Sequence, residues 1–213
     1  MKPVIALFSC ALAFAACQQP TVLGVHNGMT PAAVAKADGG KVPITQADID
    51  FMSGMIGHHA QAVVMAGWAP SHGAGGSVKI LCERIVVAQR DEIGLMQNWL
   101  RNRKLPVPEA DPAGWRMTMN GQQMVMAMPG MLTPEQMKEL DAARGAEFDR
   151  LFLKYMIQHH EGAITMVNSL FSSNGAAQDE LVFKFASDVQ VDQATEIARM
   201  KLMLDAIPAG GNK

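Results

Sequence analysis

The sequence has few cysteines, little charge and a single tyrosine. Its 213 residues include three Cys, 18% charged residues and a formal net charge of −2. No run of Lys or Arg could follow a phosphate backbone, so nucleic acid is not an expected partner. Sustained alternation of apolar and polar residues is also nearly absent, which favours an all-helical fold. The residue in excess is methionine, with 17 copies against six His.

The amino terminus predicts export from the cytoplasm. Lys2 precedes an apolar run over residues 4–16 that is too short to span a bilayer and ends in small residues. Residues 1–17 are therefore interpreted as a signal peptide. The mature protein is expected in the periplasm or the outer cell envelope.

The end of this run resembles a bacterial lipoprotein box. Residues 12–17 read LAFAAC, in which Cys17 would carry the lipid and provide the only contact with a membrane. Phe14 departs from the usual Leu, so simple cleavage of the signal is the alternative. Cys10 would leave with the signal, and Cys82 is predicted to be a buried core residue, so no disulfide is expected.

The rest of the chain is predicted to be a flexible tether over residues 18–44 and one folded domain over residues 45–207. Capping signals at Thr45 and Thr133 mark helix starts. His72 lies in a turn and is expected at the surface. The helices are predicted at about 46–69, 77–103, 134–144, 146–171 and 176–206.

The domain contains an internal repeat. Asp48, Phe51, Met55, Ile56, His58, His59, Ala62 and Met65 recur 101 positions later as Asp149, Phe152, Met156, Ile157, His159, His160, Ala163 and Met166. Gln89, Glu92, Ile93 and Met96 recur as Gln193, Glu196, Ile197 and Met200. Two similar helical hairpins, at 45–104 and 133–206, are thus joined by a methionine-rich connection at 112–132. Neither hairpin can bury its apolar face alone, so a four-helix bundle is predicted, with a short extra helix and a Met-rich loop.

Both histidine pairs fall on the apolar faces of their helices. Residues three, four and seven apart share a face, so the His pairs and their Met neighbours point into the bundle. The candidate metal ligands here are Met55, His58, His59, Met65, Met156, His159, His160 and Met166. A buried imidazole without a partner costs roughly 1 to 3 kcal/mol, so these rings require an explanation.

The facing helices offer oxygen atoms as partners. Gln89, Glu92, Gln193 and Glu196 lie on otherwise apolar stripes and are candidates to accept imidazole N–H bonds, leaving the other ring nitrogen for a metal. His59 with Met55 is the better chelating pair, while His58 reaches either the other half or the carboxylate. The alternative is that all four rings are ordinary core histidines satisfied by Glu and Gln.

The connection between the halves carries a second cluster of candidate ligands. These are Met117, Met119, Met124, Met126, Met128 and Met131. Thioether sulfur is a soft, neutral ligand that selects Cu(I) or Ag(I) over Zn or Mg. The alternative is a methionine-rich lid that packs over the bundle.

The segments 130–133, 148–152 and 156–163 closely resemble the bacterial "domain of unknown function 305" family. Residues 50–59 and 89–96 are similar to the opening hairpin of that family, and the resemblance covers about residues 45–206. The resemblance implies a ferritin-like helical bundle, export, and copper bound through His and Met. It carries over most directly to the two His pairs and their Met neighbours.

The expected function is that of an exported, non-catalytic protein that buffers, sequesters or relays copper, with Cu(I) favoured and silver as a second metal. A relay would bring contact with other envelope proteins that handle copper. One alternative is a metal-free scaffold that binds a partner. Another is a di-metal oxidoreductase, but such sites use Glu-x-x-His pairs, which the sequence does not contain.

Overall fold

The structure, a computed structural model, describes residues 43–119 and 121–208. The helices are α1 (Gln46–Gly67), α2 (Gly76–Asn102), α3 (Pro134–Ala142), α4 (Ala146–Ser172) and α5 (Glu180–Asp205), and the strands are β1 (Trp115–Met119) and β2 (Gln122–Met126). The predicted signal peptide, the lipid site at Cys17 and nearly all of the tether lie outside the described residues. Within that part of the chain, no helix is long and apolar enough to cross a membrane.

The four long helices form the predicted bundle, and the all-α fold class is confirmed. α1 packs against α2, α4 packs against α5, and the two hairpins meet where α1 packs against α4. The short helix α3 lies against α4 and α1. The two helices that carry the histidine pairs are therefore neighbours within the bundle.

Side-chain caps fix the helix starts. The Thr45 hydroxyl accepts a bond from the Asp48 amide at 3.2 Å, and the Asp48 carboxylate accepts one from the Thr45 amide at 2.7 Å. Thr133 and Gln136 form the same reciprocal box at α3. α5 begins at Glu180 rather than at the predicted residue 176, because the Asp179 side chain caps its first turn.

The prediction that residues 112–132 form a loop was wrong in part, because β1 and β2 within this segment form a β-hairpin. β1 and β2 pair antiparallel, with Trp115 opposite Met126 and Met117 opposite Met124. The sequence Asn-Gly between the strands is typical of a two-residue hairpin turn, and Gly121 has φ of +78°. Each strand has only five residues and contains two methionines, so its sequence gives only a weak strand pattern.

Apolar side chains fill the bundle on both sides of the histidines. One cluster joins the α1 residues 51–56 to the α4 residues 163–170. The other joins the α1 residues 62–66 to the α4 residues 148–156. The start of α1 thus meets the end of α4, so the two helices run antiparallel and the histidines lie at the middle of their contact.

Two residues outside the predicted site are also buried. His72 is only 5% exposed, which contradicts the expected surface position, and its Nε2 donates to the Asp141 carbonyl at 2.9 Å. This bond ties the α1–α2 turn to the end of α3. Cys82 lies in the core, and burial raises the pKa of its thiol to about 12, so the thiol stays protonated.

Candidate metal centre

The four imidazoles meet where α1 crosses α4. His58, His59, His159 and His160 all have no solvent exposure. The ring centroids of His58 and His159 are 3.8 Å apart across the two halves. The neighbouring rings within each helix are 6.2 Å and 6.3 Å apart. The antiparallel packing of two repeated helices therefore builds one group of four rings, which we call the histidine tetrad.

Three of the four rings have a defined proton position. His59 Nε2 lies 2.6 Å from the Glu92 carboxylate, and His160 Nε2 lies 2.7 Å from the Glu196 carboxylate. His58 Nε2 lies 3.1 Å from the Pro129 carbonyl oxygen. Because these oxygens only accept, each Nε2 is the donor and carries a proton, and each Nδ1 lies on the other side of its ring as the atom that could bind a metal.

The tetrad holds buried nitrogen atoms without a partner among the described residues. They are Nδ1 of His58, His59, His159 and His160, and Nε2 of His159. A buried polar atom left unpaired costs roughly 1 to 3 kcal/mol, and most such atoms in proteins are satisfied. A neutral imidazole with a free lone pair is also the form that coordinates a metal ion. The donor set therefore fits a metal that accepts nitrogen ligands.

Burial keeps the two central rings of the tetrad, those of His58 and His159, neutral. Burial lowers the pKa of His58 well below its ordinary value of 6.5, and the nearby His59 and His160 rings lower it further. The pKa of His159 is lowered for the same reasons, with burial as the largest cause. Protons therefore do not compete for these lone pairs at neutral pH.

Two predicted thioether ligands lie at each end of the tetrad. Met55 and Met166 belong to one apolar cluster, and Met65 and Met156 belong to the other. Three of these four side chains are fully buried and Met166 is 8% exposed. The antiparallel helices thus bring a methionine from each half to each side of the histidines.

A backbone segment that crosses the bundle covers the tetrad on one side. Residues 128–131, which we call the strap, lie over α1 and α4. A Cβ atom added to Gly54 would lie 2.6 Å from the Met128 sulfur and 3.5 Å from the Met166 methyl group. A Cβ added to Gly162 would overlap the Pro129 carbonyl oxygen. The strap can approach His58 because glycines on both helices leave room for it.

Glutamines on the two histidine helices hold the strap and its flank. Gln61 accepts from the Leu132 amide at 2.7 Å and donates to the Leu132 carbonyl at 3.1 Å. Gln158 donates to the Gly130 carbonyl at 3.2 Å. Sequence analysis missed both residues and Pro129. The one signal for the glutamines in the sequence was their position beside the His pairs, since Gln61 lies two residues after His59 and Gln158 directly precedes His159.

The methionines of the connection divide between the strap, which contains Met128 and Met131, and the hairpin. Met128 packs on α1, and the Met131 sulfur accepts from the Met128 amide at 3.2 Å. Met117, Met124 and Met126 lie on the hairpin, where Met124 and Met126 are 50% and 43% exposed. The side chain of Met119 lies outside the described part of the structure.

On the helices that face the histidines, the predicted carboxylates contact imidazoles and the predicted amides do not. Glu92 and Glu196 contact imidazoles, as described above. Gln89 and Gln193 are 3% and 4% exposed, but their Oε1 atoms accept no hydrogen bond from a described residue, so the expected bonds to imidazole are not formed. Across the described ranges, no three His, Cys, Asp or Glu side chains are grouped so that they could hold a metal ion. A metal at the tetrad would be held by fewer than three of these side chains, and the buried methionines beside the imidazoles are further candidate ligands.

Comparison with solved structures places the chain among proteins of one fold. A predicted secreted DUF305 protein from Streptomyces coelicolor is 28% identical, with a TM-score of 0.64 over 78% of this chain and 97% of that one. CopM in its Cu(I)-bound form is 27% identical, with a TM-score of 0.56 over 74% of this chain and 95% of that one. CopM in its Cu(II)-bound form is 29% identical, with a TM-score of 0.57 and the same coverage.

Sequence comparison gives the family. An uncharacterized protein, L153, of Acanthamoeba polyphaga mimivirus is 38% identical over 64 residues, which are 29% of this chain and 42% of that protein. The chain thus spans less than half the length of this relative. Residues 48–204, which include the whole tetrad and the strap, match the profile described as Domain of unknown function (DUF305). The chain therefore belongs to the DUF305 family.

Proposed function

We propose that this protein binds copper at the histidine tetrad, with Cu(I) favoured and Ag(I) as a second cargo, and that it is not an enzyme. It buffers, sequesters or relays the metal in the cell envelope. The observation that carries this proposal is the group of five buried imidazole nitrogens that have no hydrogen-bond partner in the described part of the chain and lie between pairs of buried methionines. The metal-bound forms of CopM, a structural neighbour, support the same class of cargo.

The ligand chemistry favours a soft metal ion. Neutral imidazole and thioether bring no charge into the core, so a monovalent ion leaves less uncompensated charge there than a divalent one. Thioether sulfur selects Cu(I) and Ag(I) over harder ions. Glu92 and Glu196 would orient His59 and His160 from behind, as carboxylates commonly do for metal-bound imidazoles.

The methionine face of the hairpin is proposed as a second, weaker site. Met117 lies opposite Met124, and alternation along the strand puts Met126 on the same side. Side chains on directly opposite residues lie about 4.5–5.5 Å apart at Cβ, so two thioethers can reach one ion. The exposure of Met124 and Met126 suits capture of metal from a donor, such as another envelope protein that handles copper.

Export to the periplasm or the outer envelope is part of this proposal. It is supported by the short apolar amino-terminal run and by the predicted secretion of the Streptomyces coelicolor neighbour. Lipid attachment at Cys17 is one form of it, and mass spectrometry of the protein from a membrane fraction would test it. An unmodified Cys17, or its removal with the signal, would contradict the lipid anchor.

The core proposal is tested by competition with a chromogenic Cu(I) chelator under anaerobic conditions. Wild-type protein should withdraw copper from the chelator, and the variant with all four tetrad histidines changed to Ala should not. His72→Ala is the matched control, because His72 is also buried but lies outside the tetrad. Retention of wild-type affinity by the quadruple variant, with its helical circular dichroism intact, would exclude the tetrad as the copper site.

A further inference from the structure

A groove between α2 and α5 lies on the side of the tetrad away from the strap. Its volume is about 620 Å³, and four acidic residues line it against one basic residue, Arg84. The acidic residues are Glu83, Glu92, Asp192 and Glu196. Carboxylates on facing walls of a groove concentrate cations from solution. Burial raises the pKa of Asp192, and the charges of Glu92, Asp188 and Glu196 raise it further, so negative charge is crowded here.

Two amides in the wall of this groove provide an independent sign of a ligand. Gln89 and Gln193 line the groove, yet their Oε1 atoms are buried and accept no bond from a described residue. Each lies one helical turn before a carboxylate, Glu92 or Glu196. Unpaired amide oxygens next to carboxylates on two repeated helices are costly if nothing binds them, and they are suitable contacts for a cation that passes through the groove.

The two glutamates connect the groove to the tetrad. Glu92 and Glu196 have side chains that are 23% and 28% exposed, whereas the imidazoles they contact are fully buried. Each carboxylate therefore touches both solvent and a histidine. The strap closes the opposite side, where Pro129 bonds to His58.

We propose that copper ions enter through this groove, attracted by its carboxylates and by the amide oxygens of Gln89 and Gln193, and pass beside Glu92 and Glu196 to the Nδ1 atoms of His59 and His160. This inference rests on the proposed function, since it supplies the route to the same buried site. No electron transfer is involved, because each ion keeps its oxidation state while carboxylate and amide oxygens are exchanged for imidazole nitrogens.

The test separates the route from the site. Thr195 is exposed and lines the groove, so Thr195→Trp should obstruct it, and Val191→Trp, one turn earlier and outside the groove, is the matched control. Loading is followed by stopped-flow quenching of tryptophan fluorescence after mixing with Cu(II) in a weakly coordinating buffer. An obstructed route should lower the loading and release rates together by severalfold and leave the equilibrium affinity unchanged. Val191→Trp should load at the wild-type rate.

A second pair of variants tests the charge of the route. Asp192→Asn and Glu83→Gln contact no tetrad histidine and should slow loading and reduce its dependence on salt. Wild-type rates in Thr195→Trp and in both charge variants would overturn the route while leaving the copper site in place. If wild-type protein binds no copper, the proposed function itself fails, and this inference fails with it.

Discussion

His58 and His159 lie face to face across the boundary between the two repeats, with ring centroids 3.8 Å apart and planes tilted by 37°. Neither ring reaches solvent. Of these two rings, only that of His58 has a hydrogen-bond partner in the described part of the chain, and this partner is the Pro129 carbonyl. Two neutral imidazoles in van der Waals contact contribute little to a stable core. The pair therefore costs stability in the metal-free protein, as expected where a fold is adapted for binding.

Replacing the least satisfied ring should stabilise the metal-free protein. His159→Leu removes two unpartnered nitrogens and fills the site with an apolar side chain of similar size, so unfolding should require about 1 to 3 kcal/mol more. Urea denaturation without metal measures this difference. The same variant should bind copper more weakly than wild type in the chelator competition. A less stable apoprotein would show that His159 is satisfied in solution.

The metal-free protein should lose stability as the pH falls below 6.5. His58 and His159 have pKa values below their unfolded value of 6.5, so the unfolded chain binds more protons in this range. The free energy of unfolding is not reduced by these two rings above pH 6.5. Below pH 6.5 it decreases by up to about 1.4 kcal/mol for each ring and each pH unit. Urea unfolding at pH 7.5, 6.5 and 5.5 measures the slope.

The double variant His58→Leu/His159→Leu is the control for this dependence. It cannot take up protons at these two positions, so its stability should change less between pH 7.5 and 5.5. Carboxylates that titrate at lower pH are common to both proteins and do not affect the comparison. Equal slopes would mean that the central rings are not the source.

Copper should raise the thermal stability of the folded protein. A ligand bound only by the native state stabilises it by about 2.7 kcal/mol when its free concentration is 100 times Kd. Calorimetry with Cu(I) should therefore show a higher Tm, and a competing chelator should return the Tm to the metal-free value. The same Tm with and without copper would favour a metal-free scaffold.

The position of the strap should depend on Gly162. A methyl group at this site overlaps the Pro129 carbonyl oxygen, so Gly162→Ala should displace the strap and expose His58. Faster hydrogen exchange at the amides of Met128, Gly130 and Met131 and a lower Tm are the expected results. Gly94→Ala is the matched control, since its Cβ meets no atom within 4 Å and Ala is favoured in a helix by roughly 0.5–1 kcal/mol. Unchanged exchange in Gly162→Ala would show that the strap is already loose.

The sequence by itself determined the helices, their order and the pairing of the two halves. The spacing of apolar residues and the caps at Thr45 and Thr133 are local properties, and the repeat of Met55, His58 and His59 at 156, 159 and 160 can be read without coordinates. The hairpin was missed because its strands are short, although its Asn-Gly turn was present. The shift in the start of α5 reflects a cap by Asp179.

Only the tertiary structure decided which atoms meet. That His58 faces His159, and that Met55 shares a cluster with Met166, follows from the antiparallel crossing of α1 and α4, which no local pattern encodes. The contact of Pro129 with His58 depends on the space left by Gly162 more than 30 residues away. Packing between distant segments selects one register among several that the apolar faces allow, so ring contacts and unpaired nitrogens emerge only when the helices dock.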